Sequence, residues 1–599
     1  MSSTFGDQPG DVVTSSRGDV LEGVSLSLYP TKGDAVAGTN LLTTVVTDVL
    51  GRWSYTHATL MVVWARPPEG QVWSVEDPAS ASSTYVALSK WVRLDSAVAD
   101  DTADDTAALN ADLTAAAGGI LYLRPKTYRV AGALTVPANT TLTSLSGRAI
   151  IRQTGVNFKT LTVGSNVTIS GISFIGRGAA GYNPVSETNE VLIHADTVTN
   201  LKVTNCTFTG IGSMGIRLLN ATDVTIDGCV FVGPGTPTIT ALDGVCYGIL
   251  VGAGSFRVRI TKCDLSELCQ GILQALNGQD LTIDNCKVHE IRGQHGLYIS
   301  SGIGLMVTNI TIANTAANGI KIQLGSTTTA DSSGMVVSNI MASGVGDTAL
   351  IVYNVDPALT RKFTGSSISN ITAINCYRGL YLGSLRGAVV TNVTVRTTTR
   401  EAITVLDCWD LNISGAVLNE SGYDAVKVTS VTNGTNARIR LSNMTIRNPA
   451  TGNVAANLYG IAVYDCTDLT VENVQVSATN GFMVYGLFFA AGDQTTFILR
   501  NSTFAGDTGV SVRLLAATAL KEWANNQVTG TITNYPTTTP TRIGGRGPFT
   551  LYAATAIPTA GTFKVGDECA NLTPVVGSPK AWLCTVAGTP GTWVSTGNL

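Results

Sequence analysis

Charge is scarce in this chain. Asp, Glu, Lys and Arg make up 13% of its 599 residues, against roughly 25% in an ordinary soluble domain. The 38 cations and 42 anions leave a net charge of −4 and a pI near 5.7, so the basic footprint of a nucleic-acid binder is absent. No apolar run approaches the roughly 18 residues of a membrane span. The first residues, MSSTFGDQPGDVV, lack the charged-then-apolar architecture of a secretory signal. Proline is sparse, at 19 residues. Zinc-ligand spacing is missing too. The nearest candidate, His289-Glu290…His295, lacks the i, i+4 helical geometry of a metalloprotease. No metal and no cofactor is expected.

What the chain does have is glycine, 63 residues of it, with a hydrophobic fraction of 44%, and both serve a repeat. Segments such as VTISGISF (167–174), LKVTNCTF (201–208), VTIDGCVF (224–231), LTIDNCKV (281–288) and LTVENVQV (469–476) are two short strands joined at a pivot. The pivots are Gly171, Asn205, Gly228, Lys262, Asn285, Asn309, Asn339, Asn370, Asn392, Gly415, Asn443, Asn473, Asn501 and Asn525. Ten of the fourteen are Asn and three are Gly. A corner between strands needs φ > 0, which Gly adopts freely and Asn next best. A third element completes each coil, as in MGIRL (214–218), YGILV (247–251), NGIKI (318–322), RGLYL (378–382) and YGIAV (459–463). Successive pivots lie 22 to 34 residues apart, and self-similarity at that period defines a solenoid. A leucine-rich repeat is excluded because its signature and its helical segment are missing. The expected fold is all-β, a right-handed parallel β-helix over 120–535, with pivot amides stacked about 4.8 Å apart.

The excess length of the longer coils is loop. Residues 177–190, 233–246 and 448–458 precede the third strand, and 323–334, 354–365, 430–437 and 490–496 follow it. That strand is then the floor of a groove between two loop walls, the default binding site.

The eleven Cys are expected to be structural. Cys206, Cys229, Cys263 and Cys286 directly follow pivots and should stack inside as small hydrophobes. Cys569 and Cys584 lie outside the repeat, and the sequence leaves their pairing open. The N-x-S/T matches, such as Asn205-Cys206-Thr207 and Asn392-Val393-Thr394, follow from a pivot preceding a β-favouring Thr.

Upstream, residues 1–85 alternate strand and turn patterns and predict a small β-sandwich. Its V-T-D-x-x-G-R-W-S-Y stretch (46–55) resembles transthyretin-like modules. A linker and capping helix occupy 86–119, with acidic or Thr N-caps, an Ala/Leu body and a Gly-Gly stop. The strand ILYLRPKTYRV (120–130) follows. Together, D-D-T-A-A-L (104–109), G-G-I-L-Y-L-R-P-K-T-Y-R-V (118–130) and L-T-V-P-A-N-T-T-L (134–142) resemble the opening of pectate-lyase-like β-helix proteins, where a helix caps the solenoid's open end. The resemblance spans about residues 100–530 and speaks to fold rather than chemistry, since that superfamily holds lyases, hydrolases and silent binders.

After a Pro/Thr/Gly linker (536–548), residues 549–599 carry V-G-D…W-x-C-T-x-A-G-T-P-G-T-W. This resembles the short β module that follows β-helices in phage tailspike and tail-fibre proteins. The resemblance implies a homotrimer on the virion tail, made in the host cytoplasm. Residues 1–85 would dock to other tail or baseplate proteins, and a host surface polysaccharide would be the ligand, bound and depolymerised. The alternatives are a non-catalytic glycan-binding or structural tail protein, and a bacterial polysaccharide lyase or hydrolase. Neither nucleic acid nor membrane insertion is expected.

Two columns of residues bear on chemistry. Asp223, Asp280, Asp410 and Asp468 recur just before a strand, a corner role. Gln270, His295, Asn318, Thr348, Arg378, Glu401 and Asp424 precede the small residue of the floor strand. Glu401 and Asp424, one coil apart beside Arg378, are the candidate acid and base or nucleophile. The plain alternative is an exposed ladder of surface ion pairs worth little. Tyr298, Lys321, Tyr353, Arg378, Tyr381 and Lys427 are the candidate substrate contacts, Tyr for sugar rings and Lys for acidic groups, or else part of a trimer interface. Glu187 and Glu190 are the fallback carboxylates.

Overall fold

The computed structural model describes residues 92–599 apart from 145–146, 179–189, 235–245, 276–278, 301–302, 325–330, 356–360, 431–435, 452–458, 480, 491–495, 515–519, 534–540 and 547–548. Before residue 92 it describes 3–5, 25–30, 35, 39–46, 55–57, 62–66 and 73–76. Most of each proposed loop wall, residues 47–54 of the transthyretin-like motif, and Glu187 lie outside the described residues. The chain divides into two compact units, Met1–Pro234 and Gly235–Leu599.

In the first unit, Thr43–Val46, Ser25–Tyr29, Val62–Arg66 and Trp73–Glu76 form an antiparallel sheet in that order, and Ser3–Phe5 pairs with Tyr55–His57. The helix is shorter than the sequence implies, Thr106–Ala115, with Asp105 at its N-cap. Residues Asp100–Asp104 form a strand along Thr127–Val130 instead. Backbone pairing there outweighs the weak helix preference of an Asp/Thr-rich stretch. The helix buries Leu109 and Leu113 and packs on Leu134–Val136. It is pinned by its buried Asp112, which accepts from the Ser96 N–H at 2.6 Å and from the Ser96 hydroxyl. The 120–130 segment breaks at Arg124-Pro125-Lys126 into Ile120–Leu123 and Thr127–Val130. Asp95 secures this break, pairing with Arg124 at 2.8 Å and accepting from the Tyr128 hydroxyl.

Beyond the cap, both units are built of three-strand coils in parallel register, the right-handed parallel β-helix expected. Alternation fills the interior: Val307, Ile310 and Ile312 of one coil and Ile320, Ile322 and Leu324 of its floor strand are at most 1% exposed. Each such side chain contributes about 1.5–3 kcal/mol of burial. In the first unit Phe174, Phe208 and Phe231 stack coil upon coil, with centroids 5.1 and 4.6 Å apart. All eleven Cys are buried free thiols.

All fourteen pivots have φ between +51° and +72°. Their amides form the ladder: Asn339 donates to Asn309 at 2.9 Å, Asn370 to Asn339 at 2.9 Å, and Asn392 to Asn370 at 3.0 Å. The Gly pivots have a packing reason as well. A Cβ on Gly228 would lie 2.7 Å from Asn205 Oδ1, and one on Gly415 3.0 Å from Asn392 Oδ1. A second left-handed column marks the corner before the first strand. It holds Asn139, Asn166, Asn200 and Asp223 in one unit, and Arg257, Asp280, Gly304, Asp410 and Arg438 in the other. Asp223, Asp280 and Asp410 are the expected corner residues. Asp468 is not among the positive-φ residues; it opens the strand Asp468–Ser477 and accepts from the Thr496 hydroxyl instead. Its place in the column is set by neighbouring register (Arg440↔Thr470), but its coil enters the strand without that corner.

The terminal module pairs Phe549–Ala554, Glu568–Asn571, Ala581–Val586 and Thr592–Ser595. Its core holds Phe563, Trp582, Trp593, Cys569 and Cys584. The two thiols are free, so the pairing left open by the sequence does not form.

Candidate functional site

The site lies in the second unit, on the outer face of the floor strands. Its strands are Leu297–Ser300, Ile320–Leu324, Thr348–Asn354, Arg378–Gly383, Ile403–Leu406, Val426–Thr429, Tyr459–Val463 and Tyr485–Phe489. The recurrent Gly lets them stack tightly: a Cβ on Gly296 would sit 2.6 Å from the Gly319 carbonyl, and one on Gly379 2.3 Å from that of Ala402.

Register confirms the column read from sequence. Thr348 pairs with Arg378, Leu380 with Ile403, and Ile403 with Val426. Two residues before these last three stand Arg378, Glu401 and Asp424. Three residues further along each strand, Tyr298 pairs with Lys321, Lys321 with Ile351, Ile351 with Tyr381, Tyr381 with Thr404, and Thr404 with Lys427. Four of the six candidate contacts, Tyr298, Lys321, Tyr381 and Lys427, thus lie in one row; Tyr353 stands two residues beyond Ile351, paired with Gln323, and Arg378 belongs to the carboxylate column.

The two carboxylates occupy equivalent positions in opposite surroundings. Glu401, 4% exposed, accepts from Arg378 Nε at 3.1 Å and faces Arg400 at 3.5 Å and Lys427 at 3.9 Å. Burial opposes its charge, but its own backbone N–H and the Arg378 and Arg400 guanidiniums prevail, and its pKa falls below the usual value. Arg378 also reaches Asp347, at 3.3 Å. Asp424 is fully buried. One oxygen accepts the Tyr459 N–H at 3.1 Å, and the other has no hydrogen-bond partner. Burial, aided by the Glu401 charge, outweighs Tyr459 and Lys427 and raises its pKa to about 7. The two pKa values are thus pushed apart, so that below about pH 7 Glu401 is ionised while Asp424 tends to keep its proton, the division of labour that acid–base chemistry requires.

On one side of this pair stand the predicted contacts. Gln323, which the sequence reading missed, donates its amide to the Tyr298 hydroxyl and accepts from the Tyr353 hydroxyl at 3.0 Å. Lys321 Nζ sits 4.6 Å from the Tyr298 ring centre and 3.4 Å from His295 Nε2. Burial, then Lys321, depresses the His295 pKa to about 3. Tyr353 and Tyr381 meet edge to face at 6.4 Å. Tyr381 is pushed up to about 12, chiefly by burial. Lys427 lies 5.4 Å from the ring of Tyr464.

On the other side the column continues past Asp424 into Tyr459 and Tyr485, paired in register. Both were legible as the residues before Gly in YGIAV and YGLFF, at the position Glu401 and Asp424 hold. The fallback residue Glu190, in the first unit, is 5% exposed and paired with Arg177. It is a separate cluster within its own unit.

The model of a family described as Rhamnogalacturonase A/epimerase, pectate lyase-like, matches residues 92–321. No curated protein sequence matches the chain. Among solved structures, the surface adhesin PfbA of Streptococcus pneumoniae is similar at 14% identity and TM-score 0.44, over 55% of this chain and 92% of that one. The catalytic unit of a GH87 α-1,3-glucanase from Streptomyces thermodiastaticus shares 14% identity at TM-score 0.38, covering 89% and 88%. The Dettilon tailspike protein shares 12% at TM-score 0.33, covering 73% and 68%. At these identities and scores the likenesses carry no argument about ligand, chemistry or assembly.

Proposed function

We propose that this chain is a phage tailspike or receptor-binding protein that binds and depolymerises a host surface polysaccharide on the floor of its β-helix. One observation carries the catalytic part: Glu401 and Asp424, neighbours in one column, have pKa values shifted in opposite directions, Glu401 down and Asp424 up to about 7, beside a face of Tyr and Lys side chains. In glycoside cleavage, Asp424 would be the general acid that protonates the leaving oxygen and Glu401 the base or nucleophile; both are buried, so this role requires the floor to open to the sugar. Arg378 holds Glu401 in place, and the Tyr faces and Lys321 hold the sugars. The phage assignment rests on the three-part sequence layout: a small N-terminal β domain, a capped β-helix and a distal β module.

A second reading, a glycan binder without catalysis, draws on one specific feature. Glu401 is enclosed by Arg378, Arg400 and Lys427, which also suits a purely structural ion-pair network. Incubation with capsule and cell-wall glycans of candidate hosts separates the two, read as new reducing ends and as absorbance of unsaturated uronates. Reducing ends alone mean hydrolysis, uronate absorbance means lyase chemistry, and neither means binding only.

On the same reading, residues 1–85 would dock to the virion and the chain would form a homotrimer. Light scattering should give about three times the 62.3 kDa chain mass; a monomer at micromolar concentration contradicts the trimer. A chain lacking 1–85 should bind cells yet fail to join particles.

A further inference from the structure

Past Asp424 the floor changes character. The outward column that carries Lys321 and Lys427 continues as Ala462, Phe488 and Arg513. Ala462 is small and fully buried, and the rings close over it. Tyr459 and Phe488 stack at 4.3 Å and 15°, and Tyr485 lies 5.6 Å from Phe488 at 17°. Tyr464 stands edge-on to Phe488 at 6.1 Å. Beneath them Ile461, Val463, Leu487 and Phe489 are fully buried, so the core is complete without these rings. They nevertheless remain partly exposed. The cation here, Arg513, lies over its neighbours, 5.7 Å from the Tyr485 ring centre and 5.4 Å from that of Phe488.

A contiguous aromatic face on a solvated surface marks a contact site. Aromatic planes fringed by Tyr hydroxyls match a ring with apolar C–H faces and polar edges. The patch also joins the carboxylate pair directly, because the Tyr459 backbone N–H donates to Asp424 Oδ1. The geometry points to a pyranose-stacking subsite formed by Tyr459, Tyr485, Phe488 and Arg513, which takes a sugar ring next to the bond that Asp424 addresses. It is separate from the Tyr298–Lys321–Tyr353 group, and in both a cation stands beside the rings. The subsite supplies affinity and position, and no proton or nucleophile. The adjacency to a cleaved bond rests on the catalytic reading above; the stacking does not.

The test uses the full-length Asp424→Asn chain on an array of defined neutral and acidic oligosaccharides, with Phe488→Ala, Tyr485→Ala and Phe488→Trp added in turn. Truncating an aromatic anchor should weaken retention of the bound glycans about tenfold, and Phe488→Trp should stay within about twofold. On a glycan that the wild-type chain cuts, Phe488→Ala should raise KM with kcat unchanged. Retention unaltered by both truncations, or no sugar retained by the Asp424→Asn chain, overturns the subsite. The Trp variant guards against misfolding: loss of binding in Phe488→Trp as well as Phe488→Ala would mark the position as structural and also overturn it. If the retention pattern holds but the wild-type chain cuts nothing, the subsite stands and the catalytic reading falls.

Discussion

Asp424 stands one coil beyond Glu401 in the same column, yet Glu401 accepts from Arg378 at 3.1 Å while an oxygen of Asp424 meets no donor at all. Two carboxylates in equivalent backbone positions therefore differ in pKa: burial dominates at Asp424, while at Glu401 its own backbone N–H and two guanidiniums outweigh burial.

This difference has a pH signature. With Asp424 titrating at about 7, catalysis that needs its proton should fall as pH rises through 7. The acid limb should lie below the usual Glu range, because the Glu401 pKa is lowered. Stability follows the same group. Unfolded, Asp424 ionises near the ordinary aspartate value of 3.8. Between that pH and 7 the native state binds the extra proton, so stability declines as pH rises. The loss approaches roughly 4 kcal/mol above pH 7 as an upper bound, at about 1.4 kcal/mol per pKa unit. Asp424→Asn should therefore raise the denaturation midpoint relative to wild type more at pH 8 than at pH 4. An equal effect at both pH values would show that Asp424 is not perturbed.

The pivot ladder predicts stability. Asn392 combines φ of +54° with a 3.0 Å bond to Asn370. Asn392→Val should cost about 1–3 kcal/mol through left-handed strain and the lost bond. Asn392→Gly keeps the backbone freedom and should cost less. Chemical denaturation of the three proteins checks the ranking.

Lys321 predicts both affinity and a neighbour's titration. Lys321→Ala should weaken binding of an acidic glycan about tenfold, as loss of a charge-assisted contact does, with the deficit shrinking at high salt. The His295 pKa should move up from about 3, because Lys321 contributes to its depression. NMR titration of the imidazole reads this without any glycan. An unmoved His295 would contradict the Lys321–His295 contact.

Much of this molecule was legible in its sequence. The corner needs φ > 0, so Asn or Gly at thirteen of the fourteen pivots announced coil, register and interior Cys alike. The carboxylate column was visible because Arg378, Glu401 and Asp424 all precede a small residue. What sequence could not reveal was the asymmetry between them. It depends on Arg378 and Arg400 meeting Glu401, at 3.1 and 3.5 Å, and on the complete burial of Asp424, whose one hydrogen bond, from the Tyr459 amide 35 residues along the chain, does not offset it. The aromatic face past Asp424 went unread because its rings come from two coils and gather over Ala462. The Asp100–Asp104 strand was missed because its pairing partner, Thr127–Val130, dictates it.

The central claim is that Glu401 and Asp424 act on a bound glycan. The most direct measurement compares wild type, Glu401→Gln and Asp424→Asn for release of reducing ends or unsaturated uronates from a host polysaccharide, with binding of the intact polymer measured in parallel. The account predicts that kcat falls by roughly 10²–10⁴ in each variant while binding stays largely intact. Undiminished cleavage by both variants would contradict it.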